Sequence, residues 1–317
     1  MTKNEKVKKE PKEEMSEHGK NCKESLPGNE ANDNKIMTVP GGTGKADGRG
    51  KTAQGSIWID VLALLGSLVV SRFVASAVVI ILNRNGSFAP EFSMFILYVI
   101  TFGLTIIAGL WLKARRSTSR PFLRFSLTKA NPSLVLWGLV LTIVTSVAIE
   151  PILNIFPSEY LDNIKNSIGT GGWAIITSVV AAPILEEVLF RGILQESLTE
   201  KLGGWRGVLA ASAIFGIVHV IPQQMVNAFF VGIILGYIYI KTRSLLPVIL
   251  IHAINNALAF IQIVIFGDQG YVTTREAVNN DTIYWIIYGI CCVVFVVALI
   301  NLYRQLKMVP AGVVSEK

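Results

Sequence analysis

The stretch AAPILEEVLFRGIL, residues 181–194, decides how this chain is read. It is apolar enough to lie in a bilayer, yet it carries Glu186, Glu187 and Arg191. An ionisable side chain near the bilayer centre costs at least about 2.5–3.5 kcal/mol on insertion scales, so two carboxylates and a guanidinium on one span point to a functional site. Two further apolar segments carry polar groups. FGIVH at 215–219 contains His219, and HAINN at 252–256 contains His252 and Asn256.

Outward from that stretch, the composition sets the class. Hydrophobic residues make up 51% of the chain and charged residues 16%, and the polar ones gather in a long N-terminal stretch and in short loops, which predicts an all-α, polytopic transmembrane helix bundle with an intramembrane cavity. The net charge of +7 is no nucleic-acid footprint, because most basic residues fall where cytoplasmic loops would lie and no basic face with interleaved aromatics is present. The partner that this composition implies is the lipid bilayer. Cys22, Cys291 and Cys292 give neither a disulfide framework nor metal-ligand spacing.

Residues 1–55 are too polar to bury a core and are expected to be a disordered tail, retained rather than cleaved as a signal peptide. His18 lies in that tail and reads as a solvated side chain. About eight spans follow, at roughly 57–82, 92–112, 133–156, 172–197, 207–221, 224–241, 245–266 and 282–303, the fifth and sixth being short. This divides the chain into the tail, three accessory helices over 56–156, a catalytic core with the last span over 157–308, and a C-terminal tail from 309 to 317. A short interfacial helix is expected near 159–168, and Gly232 and Gly236 form a GxxxG in the sixth span.

Loop charge gives the orientation. Lys113, Arg115, Arg116, Arg120, Arg124 and Lys129 crowd the loop after the second span, and Lys201, Arg206, Lys241, Arg243, Arg304 and Lys307 mark later loops on the same side. The opposite loops carry little more than Arg84, Lys165 and Arg275. The positive-inside rule then places both termini in the cytoplasm, in agreement with an even number of spans, and the cell membrane is the expected location.

Side chains four apart share a helix face, so Glu187 and Arg191 can pair within their own span while Glu186 points away to face a polar cavity and handle a proton. A purely structural Glu187–Arg191 pair is the alternative. His252 and Asn256 share a face, as do Phe215 and His219. With a carboxylate on a third helix, the set holds a base, a proton shuttle and neutral donors, which water-driven amide hydrolysis requires.

EEVLFRG, FGIVH and HAINN resemble the EExxxR, FxxxH and HxxxN motifs of the CAAX-protease and bacteriocin-processing family of intramembrane endopeptidases, over residues 172–266 or so. The resemblance implies a cavity open toward the cytoplasm in which a peptide bond near a membrane-anchored C-terminus is cut, and with it a second partner, a membrane-associated protein or peptide. It implies that Glu186 activates water with His219, that His252 and Asn256 stabilise the oxyanion, and that Glu187 and Arg191 support the site. No cofactor is expected. A second reading makes His219, His252 and Glu186 a zinc-binding set with Glu187 as base, although no HExxH is present and Asn256 suits a hydrogen-bond donor better than a ligand. From other classes, an ion or proton transporter would use the same charges and Arg72, and a non-proteolytic bacteriocin-immunity protein would keep the fold. The chain ends VVSEK and carries no CAAX box of its own; whether the substrate is prenylated is open.

Overall fold

The computed structural model describes residues 49–84, 86, 88–115, 130–157, 169–266 and 273–309, with side chains from residue 58 onward. The first of two units, Met1–Asp47, lies outside these residues, as do His18, Cys22, most of the basic loop after the second span, the expected interfacial helix and residues 310–317. The second unit begins at Gly48. All its regular elements among the described residues are helical, in the order α1 (Arg49–Asn83), α2 (Pro90–Ala114), α3 (Pro132–Ala148), α4 (Glu150–Leu153), α5 (Gly172–Leu202), α6 (Gly204–Ile217), α7 (Pro222–Thr242), α8 (Leu245–Phe266), α9 (Thr274–Val278) and α10 (Asp281–Met308). The start of α1 at Arg49 falls inside the stretch expected to be unstructured.

Each expected span has its helix, and the chain is a polytopic, all-α integral membrane protein. Six helices among the described residues are long and apolar enough to cross a bilayer, namely α1, α2, α5, α7, α8 and α10. The short ones are α3 and α6. α3 stops at Ala148 rather than near residue 156, because Pro151 has no N–H and its ring crowds the carbonyl one turn earlier. α6 has 14 residues, about 21 Å of helix against a core of about 30 Å. It therefore carries His219 only part of the way through the bundle. α7 was expected to be short, but it runs for 21 residues from a proline at its first turn to a left-handed cap at Arg243.

The helices alternate in direction, and contacts between their ends define two ends of the bundle. At one, Lys113 pairs with Glu196, Tyr239 Oη donates to Glu196 at 2.6 Å, and Lys201 lies 5.0 Å from the Trp58 ring centroid. At the other, Gly171 N donates to Glu91 at 2.8 Å, Gln223 Nε2 to the Pro157 carbonyl at 2.7 Å, Thr274 N to Glu150 at 2.7 Å and Tyr288 Oη to the Ala148 carbonyl at 3.2 Å.

Two buried clusters hold these helices together. Leu64, Leu189, Phe190, Ile193, Leu194 and Phe215 join α1, α5 and α6, while Leu141, Leu235, Ile238, Val248, Ile251 and Leu302 join α3, α7, α8 and α10. α5 bridges both, with Val188 in the second and Leu189 in the first. Phe73, Ile80, Trp285 and Val293 on α1 and α10 stay exposed, as lipid-facing side chains should. Between helices in lipid, close packing replaces the hydrophobic effect as the main attraction, and the two glycines of α7 serve it. A Cβ on Gly236 would lie 2.7 Å from Gln195 Oε1 and 2.9 Å from Val208 Cγ1, and one on Gly232 would lie 3.1 Å from Ser212 Cβ.

Candidate active site

The site is built on an irregular α5. Two of its stretches, Ile176–Ala181 and Val188–Gln195, are π-helical, closing each hydrogen bond on the fifth residue instead of the fourth. Pro183 explains the first. Ala182 N donates to the Thr177 carbonyl, and the next donor in that pattern would be Pro183, which has no N–H. The Ser178 carbonyl is thus left without a backbone donor, and Asn256 Nδ2 fills the gap at 2.9 Å from α8. A proline in mid-span was the sequence signal for this arrangement.

One turn further on, Glu187 is fully buried and Arg191 is 1% exposed. Arg191 Nη1 lies 3.1 Å from Glu187 Oε1 as an ion pair, and the wider π turn helps by bringing residues four apart more nearly above one another. The guanidinium also stacks on Phe215, 4.4 Å from the ring centroid, and Nη2 reaches the Gly232 carbonyl at 3.4 Å. Gln195 Nε2 donates to the Gly236 carbonyl at 2.9 Å. The GxxxG of α7 thereby lets polar side chains of α5 reach a helix backbone, which a larger residue would screen.

Glu187 has a second partner. His252 Nδ1 is 2.8 Å from the same Oε1, so its N–H donates to the carboxylate and the ring is fixed with Nε2 turned the other way. That Nε2 lies 3.8 Å from Glu186 Oε2, a gap too wide for a direct hydrogen bond. The other Glu186 oxygen, Oε1, accepts from the Tyr98 hydroxyl on α2. His219 Nδ1 is 2.7 Å from the Phe215 carbonyl, which fixes the proton on Nδ1 in the neutral ring and leaves Nε2 as the free acceptor. Phe215 packs edge-on against both imidazoles, with centroids 4.8 Å from His219 and 6.1 Å from His252. Directly after His219 the chain reverses through Val220 at φ +64°, a left-handed conformation unusual for a β-branched residue, before Pro222 opens α7.

Glu186, Phe215, His219, His252 and Asn256 all line one cavity of about 380 Å³, and Glu187 and Arg191 sit behind it. The six residues singled out from the sequence therefore gather in one place. Sequence reading missed Tyr98 and Ser178, since an aromatic hydroxyl and a serine in apolar spans look like ordinary packing. It also counted α2 and α3 as accessory, yet α2 supplies Tyr98 and α3 lines the cavity with Ile143, Ser146 and Val147. Arg72 is exposed on α1 and takes no part in the lining, which removes the residue that best suited a relay. Among the described residues no group of three or more His, Cys, Asp or Glu side chains is placed to hold a metal ion.

Membrane-spanning helices around a buried Glu/His/Asn cavity define the class as a polytopic membrane protein with an intramembrane polar site. Residues 169–258 match the family described as Type II CAAX prenyl endopeptidase Rce1-like, in agreement with the resemblance that the three motifs carry. An 87-residue stretch is 33% identical to YdiL of Bacillus subtilis (strain 168), a protein described provisionally as a membrane peptidase. That match covers 27% of this chain and spans only 36% of the relative's length. No solved structure gives a significant match.

Proposed function

We propose that this chain is an intramembrane endopeptidase that hydrolyses a peptide bond near the membrane-anchored C-terminus of a protein or peptide, using water activated by Glu186 and His219. The observation that carries this reading is a cavity-lining carboxylate, Glu186, held through one oxygen by Tyr98 and facing, across 3.8 Å, the free Nε2 of a histidine whose other nitrogen is tied to Glu187. Water adds to the scissile carbonyl carbon as Glu186 takes its proton. The oxyanion is met by the Nε2–H of His252 in its doubly protonated form and by the N–H of Asn256 not engaged with Ser178. The C–N bond then breaks as the proton held by Glu186 is relayed through the free Nε2 of His219 to the leaving amine, and a carboxylic acid and an amine are released. Glu187 and Arg191 position His252. Both termini lie in the cytoplasm and the protein resides in the cell membrane, consistent with the basic residues of its loops.

The test compares C-terminal peptides in the membrane proteome of cells carrying the wild-type chain or Glu186→Gln. Peptides cut only in the wild type, with both proteins present at equal level, are the expected result. Identical C-terminal peptides in the two would overturn the reading.

A further inference from the structure

The cavity lies at one end of the bundle, and the basic residues lie at the other. Its lining begins at mid-span with Glu186 and His252 and continues to Glu150, Gln223 and Thr274. The contributing residues come from the halves of α3, α5 and α7 nearest that end, from the end of α6 and from α8 between His252 and Ile263. None of the described lining residues is lysine or arginine. Among the described residues, Lys113, Arg115, Lys201, Arg206, Lys241 and Arg243 flank the opposite end, where α2, α5 and α7 finish and α6 and α8 begin. At the cavity end the described cations are Arg84 and Arg275, and Arg275 is paired with Asp281 at 2.9 Å.

We infer that the active-site cavity is entered from the non-cytoplasmic face of the membrane, and that its substrates are exported peptides or the outward-facing segments of membrane proteins. Lysine and arginine near span ends are retained in the cytoplasm, and the asymmetry here is large, so the basic end faces inward and the cavity end outward. The resemblance alone implied a cytoplasmic opening. That opening and this charge distribution are incompatible, because helix direction fixes which ends share a side. The lining chemistry fits an exported peptide of neutral or basic character. Asn227, Gln224, Asn255 and Gln262 provide amides along the way in, and Glu150, 5% exposed, has one carboxylate oxygen paired with Thr274 N and the other without a hydrogen bond. Among the described residues no cation in the lining offers itself to a substrate carboxylate. The substrate class rests on the protease reading, whereas the side of entry rests only on topology and geometry.

Single cysteines placed in the full chain with Cys22, Cys291 and Cys292 replaced by serine test the inference with a membrane-impermeant charged maleimide. Arg275→Cys reports the cavity end, Arg206→Cys the basic end, and Gln224→Cys the cavity interior. The expected pattern in intact cells is full labelling of Arg275→Cys and Gln224→Cys, with Arg206→Cys labelled only after permeabilisation. Labelling of Arg206→Cys from outside, with Arg275→Cys protected, overturns the orientation. If Arg275→Cys reacts outside but Gln224→Cys does not, outward entry is wrong. None of these readouts depends on hydrolysis, so a failed protease reading would appear separately, as unchanged C-terminal peptides with Glu186→Gln.

Discussion

His252 and Glu187, 65 positions apart, meet through Nδ1 and Oε1 at 2.8 Å, and the same carboxylate oxygen faces Arg191 at 3.1 Å. Glu187 thus performs two tasks that the sequence presented as one. It neutralises a buried guanidinium and it fixes the proton on the histidine that faces Glu186. Glu187→Gln should therefore lose both activity and stability, since stranding one member of a buried pair costs about 3–5 kcal/mol. Glu186→Gln should lose hydrolysis while its melting temperature in detergent stays at the wild-type value. Loss of activity in both variants with no drop in melting temperature for Glu187→Gln would show that the pair has been misread.

Tyr98→Phe keeps the ring and removes the hydroxyl that donates to Glu186. A hydrogen bond to a charged group contributes about 1.5–3 kcal/mol, which corresponds to a drop of roughly tenfold to a hundredfold in rate if it positions the reacting carboxylate. The loss is expected in kcat, with KM nearly unchanged, because the hydroxyl is engaged with the base rather than with substrate. An unaltered kcat would assign Tyr98 to packing.

Pro183→Ala restores a backbone N–H where α5 now lacks one. That N–H competes for carbonyls near Ser178 and releases Asn256 from its anchor. The expected result is a kcat lowered by about threefold to tenfold, the equivalent of one neutral hydrogen bond, together with an unchanged or higher melting temperature because the helix gains a bond. A variant that keeps full kcat would mean that Asn256 is oriented by something else.

Hydrolysis should need no bound metal, a prediction motivated by the absence of a grouped ligand set among the described residues and by the chemistry of Asn256, which suits a donor to an oxyanion better than a metal ligand. Purified protein should contain well under one zinc per chain, and prolonged chelation should leave the rate unchanged. His219→Ala should be inactive without any change in metal content. One zinc per chain, lost in both His219→Ala and His252→Ala and needed to restore stripped wild type, would refute the metal-free mechanism.

The sequence by itself determined the class and picked out the polar residues that the helices bring together. Charge inside apolar spans is costly enough to stand out, so Glu186, Glu187, Arg191, His219, His252 and Asn256 could be picked from one chain, and loop cations could be sorted by side. Helical spacing also gave the Glu187–Arg191 pair, because both lie on one element. Only the tertiary structure decided which group each polar atom meets across helices. Tyr98 on α2 reaching Glu186, His252 on α8 reaching Glu187, and Asn256 reaching the carbonyl freed by Pro183 all depend on how separate helices are rotated and stacked, which intrahelical periodicity does not encode. The same holds for the end of the bundle at which the cavity lies. Charge in the loops orients the helices, but their packing determines where along them space is left between side chains.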